Sequence, residues 1–244
     1  MRYQTAIFDM DGTILETLED MWASVNVTMD HVGYPRRTMD EVRRFVGNGA
    51  AKLIERCMPA GAEDPCYPDA LKFYRAYYDA HAQIKTGPYP GIPELLGKLS
   101  REGVRLAVVS NKPDEAVRAL TERYFPGVFP VAIGNRDGWA TKPAPDSVYE
   151  AMRLLGARRE STVYVGDSDV DVDTARNAGL DSIIVTWGFR DEDFLRAHGA
   201  QHLAHNADEL YEMLKDGTIQ VANDTVATQA SAVPTDIVKV DLIK

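Results

Sequence analysis

The chain has 244 residues, a formal net charge of −10 and a hydrophobic share of 45%, enough to bury one large domain or two modest ones. The acidic balance argues against nonspecific binding to nucleic acid or to an anionic membrane, but not against a small phosphate ligand, for which local charge decides. No apolar run approaches 18 residues and no basic-then-apolar leader is seen, so a cytoplasmic protein is expected. Two cysteines, Cys57 and Cys66, are too few and too irregularly placed for a disulfide framework or a zinc site, and read as buried or idle thiols.

Residues 3–8 read as a short buried strand that runs directly into Asp9-Met10-Asp11-Gly12-Thr13. Two carboxylates two residues apart on extended backbone point the same way and repel, so something positive must offset them: a metal ion, a lysine, or both. Gly12 lets the backbone turn away from the strand end. Residues 17–83 then carry almost no strand signal. Thr17-x-x-Asp20 is expected to cap a helix carrying Leu18, Met21, Trp22, Val25, Met29 and Val32, stopped by Gly33 and Pro35. Thr38-x-x-Glu41 opens a second helix, broken at Gly47-Asn48-Gly49. A third covers about 50–58, a loop follows at 59–68, and a fourth covers about 69–84 with an aromatic stripe of Phe73, Tyr74, Tyr77 and Tyr78 that reads as core.

Residues 87–91 are a linker by composition, after which strands and helices alternate. Strands are expected at 104–109, 128–133, 162–165 and 182–186, and helices at 92–101, 114–124, 147–155, 170–177, 191–198 and 207–215. Such alternation predicts an α/β fold, a Rossmann-like doubly wound parallel sheet, with residues 1–16 and 86–215 forming the core and 17–85 an inserted small helical cap domain. Residues 216–244 fit neither unit; their apolar end at 237–243 reads as an add-on strand.

The carboxyl ends of parallel strands converge, so Asp9, Asp11, Ser110, Lys142, Asp167 and Asp171 can meet although they span most of the chain. Asp9 and Asp167 offer hard oxygens for Mg²⁺. Ser110 and Lys142 can hold a phosphoryl group, and Asp171 can orient Lys142 or a metal-bound water. One carboxylate can attack phosphorus while the other protonates the leaving group. Asn48 either caps the third helix or meets substrate. Arg43, Arg44 and Lys52 read as solvated helix faces, and His198, His202 and His205 as surface histidines.

At Asp9-Met10-Asp11-Gly12-Thr13, Ser110, Lys142-Pro143 and Gly166-Asp167-Ser168-x-x-Asp171 the sequence resembles the haloacid dehalogenase superfamily of phosphatases, over residues 1 to about 215. Phe45-Val46-Gly47-Asn48-Gly49-Ala50 and Thr186-Trp187-Gly188-Phe189-Arg190 resemble segments of its phosphoglycolate phosphatase branch; Glu16 departs from it, standing where many relatives have aspartate. The resemblance implies that Asp9 is a nucleophile forming an aspartyl-phosphate and Asp11 a general acid/base. It implies that Asp9, Asp167 and the Asp11 carbonyl bind Mg²⁺, and that Asp171 supports them. The substrate-binding set is then Gly12, Asn48, Ser110, Asn111 and Lys142. The expected partner is a small phosphorylated metabolite such as 2-phosphoglycolate, and the expected assembly a monomer or homodimer. An inorganic pyrophosphatase, a phosphosugar phosphatase or mutase, and a non-hydrolytic phospho-aspartate signalling module remain alternatives at this stage.

Overall fold

The computed structural model describes residues 1–217. The first strand, β1 (Thr5–Phe8), is buried throughout. It leads through the Asp9–Thr13 turn to β2 (Leu15–Glu16) and then to four helices: α1 (Leu18–Val32), α2 (Met39–Phe45), α3 (Gly49–Cys57) and, after a 3₁₀ turn at Gly61–Glu63, α4 (Tyr67–His81). The chain returns through β3 (Gly87–Pro88). There follow α5 (Ile92–Arg101), β4 (Arg105–Pro113), α6 (Asp114–Tyr124), β5 (Val131–Asn135), α7 (Asp146–Leu155), β6 (Thr162–Gly166), α8 (Asp169–Ala178), β7 (Asp181–Val185), α9 (Glu192–Ala197), β8 (Leu203–Ala204) and α10 (Ala207–Asp216).

The main sheet has six strands in the order β5-β4-β1-β6-β7-β8, every neighbouring pair parallel. Its strands are short apolar runs, as a sheet covered on both faces requires. Period-two alternation divides the core. Ala6, Phe8, Leu106, Val108, Val163 and Val165 pack under α5, α6 and α10, whereas Ile7, Ala107, Val109 and Tyr164 pack under α7 and α8. The sheet is therefore doubly wound. The chain steps from β1 outward to β4 and β5, then crosses back to β6 on the other side of β1. That reversal makes the carboxyl end of β1 the topological switch point, where a ligand crevice opens in such sheets.

The four inserted helices have an apolar cluster of their own, built from Met21, Val25, Met29, Val42, Leu53, Ile54, Cys57 and Tyr74, which Phe189 enters from the loop after β7. Thr38 and Glu41 form the predicted capping box of α2. Gly33, at φ +75°, ends α1 as predicted. Cys57 is buried and Cys66 half-buried, both as free thiols.

Several expectations need correction. Thr17 does not cap α1 with its side chain; Glu16 does this instead, its Oε1 accepting from the Leu18 N–H at 2.8 Å. Residues 87 and 88 are a strand rather than a linker, paired antiparallel with Leu15 and Glu16. The strand expected at 128–133 begins only at Val131, because Val128 and Phe129 close the turn after α6 against the core. β4 continues past its apolar run to Pro113. β8 is too short to leave a periodic signal. Asp216, expected at the start of the tail, belongs to α10; the add-on strand expected at 237–243 lies outside the described residues. No helix among the described residues is long and apolar enough to cross a membrane.

Asp20, read in the sequence as a helix-capping acid, is instead buried where the chain leaves for the helices and returns. Its carboxylate accepts from the backbone N–H groups of Ile84, Lys85 and Thr86 and from the Thr86 hydroxyl, at 2.9–3.1 Å. Charged acceptors of this kind hold more tightly than neutral ones, and losing this one would orphan several donors. Asp20→Ala is expected to cost about 3 kcal/mol, lowering the thermal midpoint by about 6–12 °C for a chain of this size. Thermal unfolding followed by circular dichroism measures this; an unchanged midpoint would show that solvent replaces the carboxylate.

Candidate active site

The strand ends and the inserted helices enclose one cavity. Asp9, Asp11, Ser110, Lys142 and Asp167 line it from the sheet side; Val46, Leu53, Tyr74 and Tyr78 line it from the helices. Asp9 follows β1 directly, and its N–H donates to the Val165 carbonyl at 2.8 Å, which keeps it in register with β6. Lys142 arrives on the loop before α7. Its ammonium lies 2.8 Å from Asp9 Oδ1 and 2.9 Å from Asp171 Oδ1, and donates to the Tyr164 hydroxyl at 3.0 Å. Asp171 is fully buried in the first turn of α8. Its Oδ2 accepts from the Asp167 and Ser168 N–H groups and from the Ser168 hydroxyl.

Asp167 accepts from the Thr13 hydroxyl at 3.1 Å and from the Phe189 N–H at 2.7 Å. Two glycines make room for it. A Cβ on Gly12, which adopts φ +82°, would lie 2.3 Å from Asp167 Oδ2, and a Cβ on Gly188 would lie equally close to the same oxygen. Neither position tolerates a side chain without moving the carboxylate.

The electrostatics follow from crowding and burial. Burial holds the Asp9 carboxyl well above the usual range; Lys142 counters part of this, while Asp171, Asp167 and Asp11 add to it. Burial, reinforced by Asp171, pushes Asp167 up to about 7 against the Phe189 N–H and Arg190. Burial also acts on Asp171, but Lys142 and the hydrogen bonds from Ser168 and Tyr164 outweigh it and keep that carboxyl low. The Lys142 ammonium is held above its normal range because Asp171 and Asp9 outweigh the burial that would lower it.

Asp9, Asp167 and Asp171 place carboxylate oxygens within 4.8 Å of one another. Asp171 already takes the Lys142 ammonium, the Tyr164 and Ser168 hydroxyls and two backbone N–H groups, whereas Asp167 takes one donor on each oxygen, so Asp9 and Asp167 are the pair with more capacity left for a cation. Four carboxylates face two ammonium groups, those of Lys142 and Lys112, leaving negative charge in excess. An all-oxygen, charge-rich donor set of this kind fits a hard divalent ion.

The other predicted residues divide. Ser110 lines the cavity, its hydroxyl accepting from the Lys112 N–H at 3.2 Å. Asn111 also lines it, but its side chain is committed to backbone: Oδ1 accepts from Lys142 N–H at 2.8 Å, and Nδ2 donates to the carbonyls of Lys142 and Gly47. It therefore positions Lys142 rather than offering a free donor to substrate. Gly12 is likewise no ligand donor, since its N–H is bonded to the Leu15 carbonyl. Asn48 is not brought into the group: it neither caps α3 with its side chain nor lines the cavity, because Arg56 holds its Oδ1 at 2.9 Å.

Arg43 stays at the surface, where it pairs with Asp191 across the layers. Lys52 pairs with Glu55 on its own helix. His205 has acidic partners after all, Glu192 and Glu209, at the surface.

Four residues were missed. Lys112 is buried beside Asp11 at 3.2 Å; it sits two positions after Ser110, and that spacing on extended backbone carried the signal. Tyr164 looks like any apolar strand residue and had no signal. Tyr78 was absorbed into the aromatic stripe as core, yet it and Tyr74 line the cavity. Arg190 holds Asp169 and the carbonyls of Arg43 and Val46.

A doubly wound sheet with a lysine-clamped pair of acids at its switch point, under a helical layer, defines a phosphoryl-transfer class of site. The family model for haloacid dehalogenase-like hydrolases matches residues 6–185. A phosphoglycolate phosphatase of Rhodobacter capsulatus is 34% identical over 190 residues, covering 75% of this chain and 84% of its own. One of Colwellia psychrerythraea is 30% identical over 219 residues, covering 87% and 97%. A solved structure from Lactobacillus delbrueckii subsp. bulgaricus, provisionally named a phosphoglycolate phosphatase, superposes with a TM-score of 0.84 at 39% identity, over 88% of this chain and 99% of that one. The chain belongs to the haloacid dehalogenase-like hydrolases, in the branch of the phosphoglycolate phosphatases. It is a phosphoric monoester hydrolase.

Removing the Lys142 ammonium would leave two buried carboxylates without their common partner. Lys142→Met is expected to destabilise the fold by about 3–5 kcal/mol, read as a lowered urea midpoint at unchanged slope. Wild-type stability would mean that water reaches these acids.

Proposed function

We propose that the protein hydrolyses a small phosphomonoester, 2-phosphoglycolate, with Mg²⁺ and through an aspartyl-phosphate on Asp9. The observation that carries this is the Lys142 ammonium fixed between Asp9 and Asp171 on the floor of the cavity. The substrate is suggested by the names of the relatives, and a phosphoryl site by a structural relative, CbbY from Rhodobacter sphaeroides, solved in complex with phosphate (28% identity, TM-score 0.70).

In this reading an Asp9 carboxylate oxygen attacks phosphorus as the ester P–O bond breaks, and Asp11 gives its proton to the leaving oxygen. Asp11 then takes a proton from the water that attacks the acyl-phosphate. The bond between phosphorus and the Asp9 oxygen breaks, releasing phosphate and restoring Asp9. Ser110 and Lys142 hold the phosphoryl oxygens, and Asp171 keeps Lys142 charged and aimed. Asp9, Asp167 and the Asp11 carbonyl would hold the Mg²⁺, which when bound neutralises phosphoryl charge. The helical layer excludes water through the apolar side chains of Val46, Leu53 and Phe189.

The test is phosphate release across phosphomonoesters and pyrophosphate, with Mg²⁺ and after chelation. Preference for 2-phosphoglycolate, lost on chelation, is expected. Asp9→Asn should lower kcat by about 10⁴-fold or more while preserving the fold. Near-normal turnover by that variant would overturn the covalent route. Preference for pyrophosphate would replace the substrate, and a stable phospho-protein without turnover would favour a signalling role.

A further inference from the structure

Among the described residues, four cationic side chains line the cavity: Arg75, Lys112, Lys142 and Arg190. Two are held by partners and a third is exposed. Lys142 is held by Asp9, Asp171 and Tyr164. Arg190 is held by Asp169 and two carbonyls of the helical layer. Arg75 stands exposed at the mouth. Lys112 is different: its side chain is only 7% exposed and faces a single carboxylate, that of Asp11, on the cavity wall.

Its Nζ lies 3.2 Å from Asp11 Oδ1 and donates to the Tyr78 hydroxyl at 2.5 Å. It also lies 4.5 Å from the centre of the Tyr78 ring. Asp11 Oδ1 has a second partner, the Thr17 hydroxyl at 2.8 Å, so Asp11 keeps a hydrogen bond when Lys112 turns away. The cavity it lines also has an apolar share, including Met21, Leu53, Pro113 and Ala116. An ammonium placed in this way can exchange its carboxylate for the anion of a substrate, because Asp11 is left with the Thr17 hydroxyl.

We propose that Lys112, with Tyr78, forms a specificity subsite for the carboxylate of a phosphorylated 2-hydroxy acid. The inference rests on the phosphatase reading above and adds a requirement on the part of the substrate that is not transferred. Asp11 must reach the leaving ester oxygen to protonate it. An anion held by Lys112 is therefore joined to that oxygen through three short contacts, anion to ammonium, ammonium to Asp11 at 3.2 Å and Asp11 to the ester oxygen, and lies at most that far from it. A carboxylate on the carbon next to the ester oxygen spans that distance; the ring hydroxyls of a sugar phosphate do not carry the charge. Capture of the carboxylate by Lys112 also releases Asp11 from its ion pair, so that the matching substrate frees its own acid.

The experiment compares kcat/KM for 2-phosphoglycolate and for ethyl phosphate, the same skeleton without the carboxylate, in wild type, Lys112→Met, Lys112→Arg and Tyr78→Phe, all with Mg²⁺. Wild type should prefer 2-phosphoglycolate. Lys112→Met should lose about 10- to 100-fold more on 2-phosphoglycolate than on ethyl phosphate. Lys112→Arg should recover part of the preference, and Tyr78→Phe, which keeps the ring and its stack on Tyr74, should lose a smaller part. Equal losses on both esters would place Lys112 on the phosphoryl group or on Asp11 and overturn the inference, as would an unchanged ratio. Should Lys112→Met fail to fold, an unchanged ratio in Tyr78→Phe and Lys112→Arg overturns it. Hydrolysis of neither ester by wild type, with release of phosphate from another phosphomonoester, would overturn the 2-phosphoglycolate reading, and this inference with it.

Discussion

The ammonium of Lys142 is the interaction on which the site depends. Three carboxylates at the ends of β1 and β6 and in the first turn of α8 sit out of water within 4.8 Å of each other. Such crowding is unfavourable unless opposite charge is present. Lys142 supplies that charge to two of the three and orders the rest. Because it is bonded to Asp171, and Asp171 in turn to the N–H groups of Asp167 and Ser168, one cation fixes the start of α8, the end of β6 and the side chain at the end of β1. Asn111 completes the arrangement by holding the backbone of Lys142 at both its N–H and its carbonyl. Asp167 is left as the acid that Lys142 does not reach.

The helical layer is tied to the sheet by contacts that converge on a few backbone groups. Arg190 reaches the carbonyls of Arg43 and Val46, Asn111 that of Gly47, and Arg43 pairs with Asp191. Phe189 places its ring in the apolar cluster of the helices while its N–H binds Asp167. The segment after β7 therefore joins the Asp167 carboxylate to the packing of the covering layer in a single residue. Displacement of the layer would act on Asp167 through that backbone.

Much of this was legible in the sequence for identifiable reasons. Alternating apolar runs and helical periodicities show the doubly wound sheet, and acids placed at strand ends show where chemistry converges. What escaped detection shares one cause: the deciding partner is distant in sequence. Asp20 looks like a first-turn acid, and only the return of residues 84–86 reveals it as a clamp. Tyr164 lies in an apolar strand, where nothing local separates a packing ring from one whose hydroxyl meets Lys142. Asn48 misled in the opposite direction, for its position in a glycine loop suggested a ligand while Arg56, eight residues on, claims its side chain.

The central place of β1 bears on how the chain folds. Thr5 pairs with Arg105 on one side and Thr162 on the other, so the first strand gains its neighbours only across long stretches of chain. Non-local pairing of this kind slows folding, because loop entropy is lost before contacts repay it. The pairing of Glu16 with Gly87 alters that problem. Once the inserted helices have joined their own ends there, the search from β1 to β4 runs over roughly thirty free residues instead of a hundred, lowering the closure cost by about 1 kcal/mol. The covering layer thus serves the sheet beneath it as a kinetic shortcut, bringing together two strands that synthesis sets far apart.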